Sequence, residues 1–195
     1  MTEITTNTPF QISVWQRTWD NYDSAHMIAA IEKFRTTTSG VQRSNNGGYQ
    51  SKPDLARVFE LEPFFHWIAE TSEPILHSMN IPIDNIVIEH AWYNENRGLG
   101  AHNQPHIHQG ILSGVFYVDA PQGSGVLNLI NPAMNALWPG HTTSTSHNQH
   151  TADVARVRPT TGELYLWPSY LPHSVDPNTL DTTVRKSISF NITSG

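Results

Sequence analysis

After Pro82 the sequence becomes a series of short segments rich in β-branched and aromatic residues, and this pattern constrains the fold more than any other feature. Each segment is bounded by glycine, proline or asparagine, as strands commonly are. Several short strands separated by turn residues predict a mainly β fold, either a sandwich or a barrel. The predicted strands are Asn85–Asn94, Leu112–Val118, Ser124–Ile130, Glu163–Trp167 and Val184–Ile192.

Residues 1–82 carry helical spacing instead and are predicted to support the β region. A short strand is predicted over Thr8–Trp15, where apolar residues alternate. Ser24 is predicted to cap a helix, and Arg43–Ser51 to form a loop. Further helices are predicted to begin at Ser51-Lys52-Pro53, at Pro63 and at Glu73-Pro74. The residues expected to face inward are Met27, Ile28, Ile31, Phe34, Leu55, Val58, Phe59, Leu61, Phe65, Ile68, Ala69, Ile75, Leu76 and Met79.

Length and composition are those of one globular domain. The chain has 195 residues, of which 37% are hydrophobic and 14% charged, so it can bury a substantial core. We predict a single domain over residues 1–195, with the helical support over about 1–82 and the β core over 83–195. A polar insertion near 131–161 interrupts the core, and loops of that length are typical of lids and binding loops.

Composition also excludes several classes of function. The net charge is −6, with 11 lysines and arginines and no basic run, so nucleic-acid binding is not expected. The chain has no cysteine, which excludes disulfides and thiolate metal sites. No apolar run reaches the roughly 18 residues that a membrane span needs. The first residues lack a signal-peptide pattern, so we expect a soluble cytoplasmic protein.

Three histidines form the pattern most typical of a chemical site: His106, His108 and His173. Side chains two residues apart on a strand point to the same face, so His106 and His108 can present two imidazoles together. A third imidazole from a distant strand can bind the same metal ion, and imidazole suits iron, zinc, copper and nickel. An isolated His-x-His pair is as often structural. The combination is typical of a jelly roll that brings ligands from two opposed strands to its mouth, and it predicts a metal site.

The segments around these histidines resemble the 2-oxoglutarate/Fe(II) oxygenases that are common in marine bacteria and bacteriophages. The motifs that carry the resemblance are His-Ile-His followed by Leu112–Val118, the run Leu166–His173, the run Arg185–Asn191, and an earlier signature at Asn45–Ser51. The resemblance covers the chain from about Thr8 to Ile192 and is weakest near 135–158. It implies a cupin-like double-stranded β-helix that uses Fe(II), 2-oxoglutarate and dioxygen, in the cytoplasm of a bacterium or an infected host.

The sequence departs from the wider oxygenase superfamily at His108. The usual facial triad has two histidines and one carboxylate, and His108 stands where the carboxylate is expected. We expect iron to be held by His106, His108 and His173. Two alternatives stay open: a shifted register with His108 first and Gly110 at the carboxylate position, or a carboxylate from Asp119. Three neutral imidazoles would leave the ion one more unit of positive charge, which favours anionic 2-oxoglutarate.

Arg185 and Ser187 are the predicted partners of that anion. They share one face of a strand, and an arginine fork can bind a carboxylate through two hydrogen bonds. The resemblance implies that this pair holds the distal carboxylate of 2-oxoglutarate, and the alternative is an ordinary surface arginine. Asn94 resembles a co-substrate contact in related oxygenases, and Tyr117 could also reach the co-substrate. The alternative for Asn94 is an ordinary turn residue, and the alternative for Tyr117 is an aromatic residue of the core.

The resemblance implies a dioxygenase, most simply a hydroxylase, acting on an unidentified small-molecule or peptidyl substrate. One rival is a metal-dependent cupin that does not use 2-oxoglutarate. Gly100 stands six residues before His106 as in the first cupin motif, but the glutamate expected after His108 is missing from residues 109–113. A second rival is a non-enzymatic jelly-roll structural or binding module. His141, His147 and His150 lie in the polar insertion and are predicted to be solvated loop residues.

Overall fold

The computed structural model describes residues 11–20, 22–82, 85–133, 140, 143, 145–148 and 150–194. The strands in these residues are β1 Trp15–Thr18, β2 Asn45–Asn46, β3 Tyr49–Gln50, β4 Ile86–Arg97, β5 His102–His106, β6 Leu112–Asp119, β7 Leu127–Ile130, β8 Val154–Val157, β9 Glu163–Pro168, β10 His173–Val175 and β11 Val184–Ser194. The helices are α1 Ser24–Thr37 and α2 Glu62–Ser78, with two 3-10 turns at Leu55–Arg57 and Phe59–Leu61.

The strands form two antiparallel sheets. The larger has the order β1-β9-β6-β11-β4-β3, and the smaller has the order β2-β5-β10-β7-β8. Neighbouring strands are mostly distant in sequence, as in a jelly roll, where successive strands alternate between sheets. The prediction of a mainly β, double-stranded β-helix fold with N-terminal helices is confirmed.

Two apolar layers hold this arrangement together. The first packs α1 and α2 against the outer face of the larger sheet and includes Phe64, Ile68, Phe116, Ile188 and Phe190, all at most 1% exposed. The second lies between the sheets and consists of Val115, Tyr117, Leu127, Leu129, Tyr165, Trp167 and Leu171. Alternation along β6 explains the division, because Phe116 faces the helices while Val115 and Tyr117 face the smaller sheet.

The N-terminal helices follow the predicted apolar pattern but not all the predicted ends. The side chain that caps α1 is Asp23, which accepts from the His26 N–H at 3.1 Å, and not Ser24. The predicted restart at Pro74 is wrong, because α2 runs through it. Proline cannot donate to the carbonyl of residue 70, but Glu70 and Pro74 are exposed and water can satisfy that carbonyl. The buried Ile75 and Leu76 then continue the apolar face of the same helix.

The region between the two helices also differs from the prediction. The helix predicted near Ser51-Lys52-Pro53 consists of two short 3-10 turns, and Phe59, predicted to face inward, is 81% exposed. The loop predicted over Arg43–Ser51 contains β2 and β3, which extend one edge of each sheet. The first strand begins at Trp15, where the prediction ended, and residues 8–10 of that prediction lie outside the described residues.

Besides β2, three strands of the smaller sheet were not predicted: β5, β8 and β10. They are short, and β5 contains Pro105, so none shows a clear run of alternating apolar residues. β8 lies within the predicted polar insertion and pairs with β7. Trp138 and His141 of that insertion lie outside the described residues. In the part of the chain that the structure describes, no helix is both long and apolar enough to cross a membrane.

Candidate metal centre and arginine pocket

The three predicted histidines meet at one end of a cavity between the sheets. His106 ends β5, His173 begins β10, and the two residues are directly paired across the strands. His108 follows β5, and its backbone N–H donates to the Ser169 carbonyl at 3.2 Å, which ties it to the turn before His173. Ring nitrogens of the three side chains all lie within 4.8 Å of one another, close enough to hold one metal ion.

Hydrogen bonds fix which ring nitrogen faces the cluster. Nδ1 of His106 lies 2.7 Å from the Gln104 carbonyl, and Nδ1 of His173 lies 3.0 Å from the Leu171 carbonyl. A carbonyl can only accept, so each Nδ1 carries the hydrogen and each Nε2 keeps a free lone pair. This is the usual arrangement of metal-binding histidines, whose second nitrogen is held by the protein.

The electrostatic environment keeps the imidazoles neutral. Burial lowers the pKa of His106. Burial, reinforced by the neighbouring His106, lowers the pKa of His108 to about 4 and that of His173 to about 3. Only a neutral imidazole can donate a lone pair to a metal. The donor set therefore fits a divalent transition metal such as Fe(II), for which imidazole is a suitable ligand.

A bulge in β5 brings two parts of the site to the same face. His106 pairs with His173 and Asn103 with Val175, so three steps along β5 match two along β10. The extra residue lies at or near Pro105, a type of residue that sheets tolerate at bulges. Without the bulge, Asn103 and His106 would point to opposite faces, yet both line the cavity.

No carboxylate joins the cluster within the described residues. Asp119, one alternative ligand, lies opposite Lys186, whereas Tyr117 lies opposite Ser187, because a second bulge falls between these pairs. Asp119 therefore faces away from the cavity, and it acts electrostatically on Tyr22 instead. The other alternative began the ligand set at His108, but His106 is part of the cluster.

Arg185 lies in the same cavity, away from the histidine cluster, and is only 2% exposed. Its Nη1 donates to the Gly125 carbonyl at 3.0 Å, and its Nη2 donates to Asn96 Oδ1 at 2.7 Å and to Asn103 Oδ1 at 3.4 Å. Its Nε has no partner. Burial lowers the pKa of Arg185, and no carboxylate opposes that effect. The alternative of a surface arginine is therefore wrong.

The other predicted co-substrate residues surround this arginine. Ser187 lies next to Asn94 on β4 and next to Tyr117 on β6, and all three line the cavity. The Asn94 amide donates to Ser189 Oγ at 3.0 Å, while its Oδ1 is buried without a partner. Burial raises the pKa of Tyr117 to about 12, so its hydroxyl stays protonated and can donate.

The cavity is open to solvent, and the empty space within it and at its mouth is about 490 Å³. Two indole rings flank the histidines: Trp92 lies 5.3 Å from His108, and Trp167 lies 5.0 Å from His173, measured between ring centres. The Trp167 Nε1 hydrogen is buried without a partner. None of Trp92, Trp167, Asn96 and Asn103 was among the predicted site residues. The alternation Trp92, Asn94, Asn96 along β4 was the available signal for Asn96.

The comparison with protein families agrees with this geometry. Residues 90–191, just over half of the chain, match the family described as "Putative 2OG-Fe(II) oxygenase". The chain therefore belongs to the 2OG-Fe(II) oxygenases, and its cofactors are Fe(II), 2-oxoglutarate and dioxygen. This overturns both rivals, the cupin without 2-oxoglutarate and the non-enzymatic module. No curated protein sequence matches the chain significantly.

Solved structures share the fold at low sequence identity. A prolyl-4-hydroxylase from Pseudomonas putida is 13% identical with a TM-score of 0.62, and the match covers 93% of this chain and 92% of that one. The epimerase SnoN from nogalamycin biosynthesis is 12% identical with a TM-score of 0.68, covering 93% and 78%. HygX from Streptomyces hygroscopicus, solved with nickel and 2-oxoglutarate, is 10% identical with a TM-score of 0.58, covering 94% and 83%.

Proposed function

We propose that this oxygenase is a hydroxylase in which His106, His108 and His173 hold Fe(II) and Arg185 with Ser187 holds the distal carboxylate of 2-oxoglutarate. One observation carries the proposal. Three neutral imidazoles within 4.8 Å of one another share a cavity with a buried arginine that has only neutral partners. A cation site and an anion site in one cavity match a co-substrate that must bind a metal at one end and a positive charge at the other.

The histidines would present their Nε2 lone pairs to the ion. The carbonyls of Gln104 and Leu171 hold the rings of His106 and His173 in that orientation. Three side chains fill at most half of an octahedral shell and leave positions for the co-substrate and dioxygen. Because all three are neutral, the positive charge of the ion stays undiminished and favours the anionic co-substrate.

The residues between the two sites would orient the co-substrate. The Tyr117 hydroxyl, which stays protonated, would donate a hydrogen bond to it. Asn94 would contact it through the amide, whose oxygen has no other partner. Ser187 lies between these two on the sheet and would add a hydroxyl beside the arginine fork.

When bound, Fe(II) with 2-oxoglutarate and dioxygen supplies the oxidising equivalent that hydroxylates a C–H bond. The chain would hold the reactants and exclude competing reactions, and Trp92 and Trp167 provide apolar walls beside the histidines. Support for hydroxylation comes from two structural relatives, the prolyl hydroxylases of Pseudomonas putida and Trichoplax adhaerens. We propose a small-molecule or peptidyl substrate, bound at the open mouth of the cavity.

An anaerobic titration tests the binding assignments. Adding 2-oxoglutarate to the Fe(II)-loaded protein should produce a weak visible charge-transfer band with one equivalent of metal. Absence of stoichiometric metal binding would contradict the histidine assignment, and metal binding without the band would contradict the co-substrate site. Hydroxylation itself is tested by incubation with metabolite and peptide libraries. A product one oxygen atom heavier, formed in step with succinate, is expected, and a rearranged product of unchanged oxygen content would contradict it.

A further inference from the structure

Arg185 is held by a network of neutral groups. Its Nη2 contacts two amide oxygens, Asn96 Oδ1 at 2.7 Å and Asn103 Oδ1 at 3.4 Å. Its Nη1 contacts the Gly125 carbonyl at 3.0 Å. Asn96 is 1% exposed and Asn103 is 8% exposed, so these contacts are shielded from water. Within the described residues, no ion pair involves this guanidinium.

The amides themselves are fixed by further hydrogen bonds. The Asn96 Nδ2 donates to Asn103 Oδ1 at 3.1 Å, and the Asn103 Nδ2 donates to Ser44 Oγ at 3.3 Å. Asn178 donates to the Asn96 carbonyl at 2.9 Å and accepts from the Gly125 N–H at 3.1 Å. Each amide thereby donates one hydrogen bond, which orients both Oδ1 atoms toward the arginine.

Asp176, an acid that lies near this network, is directed elsewhere. The backbone of Asp176 lies against Gly125, where an added Cβ would fall 1.7 Å from the Asp176 carbonyl oxygen. The carboxylate of Asp176, however, accepts from Asn128 Nδ2 at 2.6 Å and pairs with Arg156. Gly125 is therefore needed for the close approach, and the carboxylate is already paired with another arginine.

We propose that Asn96 and Asn103 are positioning residues that orient Arg185 without neutralising it, so that its charge is kept for the carboxylate of 2-oxoglutarate. This inference rests on the proposed function of Arg185. A carboxylate at either position could also accept a hydrogen bond from the guanidinium but would be its counter-ion. The incoming co-substrate would then have to displace an internal ion pair.

This predicts two effects of opposite sign from one substitution. Asn96→Asp or Asn103→Asp should raise the thermal midpoint of the metal-free protein, because a buried charge gains a counter-ion. The same change should weaken binding of 2-oxoglutarate by roughly 30-fold. A residue with a purely structural role would lower both stability and affinity.

The experiment measures binding by calorimetry on the Ni(II)-loaded protein, which avoids turnover. The probes are 2-oxoglutarate and 2-oxoglutaramate, whose distal group is a neutral amide. Wild type should prefer 2-oxoglutarate by about 30-fold or more, and the two aspartate variants should lose most of that preference. Asn191→Asp is the matched control. Asn191 lies on β11, is buried like the other two asparagines, and accepts a hydrogen bond from Ser113 Oγ at 2.9 Å through its Oδ1. No contact joins it to Arg185.

If Asn96→Asp and Asn103→Asp keep the full preference for 2-oxoglutarate over 2-oxoglutaramate, the inference about the two asparagines is overturned, and the proposed function is not. Failure of wild type to bind 2-oxoglutarate would overturn the proposed function and the inference with it. If neither aspartate variant folds, Asn103→Ser serves instead, because it withdraws the amide oxygen at 3.4 Å from the guanidinium without adding charge. It should weaken 2-oxoglutarate binding with no change in Ni(II) binding, and unchanged 2-oxoglutarate affinity would again overturn the inference.

Discussion

The histidine end and the arginine end of the cavity are both buried, yet they differ in charge and in how their polar atoms are partnered. At the histidine end, burial keeps His108 and His173 neutral and leaves lone pairs free. At the arginine end, a permanent cation is surrounded by neutral oxygens. The histidine end can therefore supply electron pairs to a metal cation, and the arginine end can supply positive charge to an anion. Substitutions at one end should weaken binding of that end's ligand and leave binding at the other end unchanged.

The largest effect is expected from His173→Ala. Loss of one of three imidazoles should weaken Fe(II) binding by more than about 100-fold, while the fold survives because the ring makes no hydrogen bond essential to the sheet. Metal content after gel filtration and equilibrium dialysis measures this. His102→Ala is the control, since His102 lies on β5, the strand that carries His106, but outside the cluster. Equal losses in the two variants would contradict the assignment.

Arg185→Met should have the second-largest effect, and it should change binding only at the arginine end of the cavity. It should weaken 2-oxoglutarate binding by about 100-fold, because a buried carboxylate loses a charge-assisted partner, and leave Fe(II) binding unchanged. Lys186→Met is the control, since Lys186 is the next residue and points to Glu32 on the outer side of the sheet. Titration of the charge-transfer band gives both affinities, and unchanged co-substrate affinity would remove Arg185 from the site.

His108→Asp sharpens the comparison by altering the charge at the metal end. Iron binding should be retained, because aspartate is a good Fe(II) ligand at this position of the usual triad. The affinity for 2-oxoglutarate should fall by about tenfold, since the added carboxylate removes one unit of positive charge beside the anion. Binding measurements at two ionic strengths check this, and unchanged 2-oxoglutarate affinity would contradict the placement of His108 beside the ion.

A further effect concerns the stability of the metal-free protein and its dependence on pH. The pKa of His108 is lowered to about 4 and that of His173 to about 3, from an ordinary value of 6.5. Below pH 6.5 the unfolded chain therefore takes up protons that the folded protein excludes, so stability is highest above pH 6.5 and is lost as the pH falls. Each histidine contributes about 1.4 kcal/mol per pH unit. Chemical denaturation from pH 7.5 to 5 measures the slope, which His173→Phe should reduce.

Sequence reasoning found the larger sheet more completely than the smaller one. The long strands β4, β6 and β11 are rich in β-branched and aromatic residues, and their ends were predicted to within a few residues. The strands β5 and β10, which carry His106 and His173, are too short to show a period. Their histidines were found from side-chain chemistry rather than from strand pattern.

Only some residues of the arginine pocket could be placed from their spacing along the sequence. Arg185 and Ser187 could be placed on one face because β11 is regular between them. Asn103 could not be placed beside Arg185, because its position depends on the bulge in β5, and nothing in a strict alternation of side chains signals an extra residue. Asp119 was retained as an alternative for the same reason, since the bulge before it lies in β6.

The extra residue in β5 ties the two ends of the cavity to one count of residues. A regular pleat over the three steps from Asn103 to His106 would turn either the asparagine or the histidine toward the outside. Metal capture and anion orientation are thus linked through the backbone of one short segment.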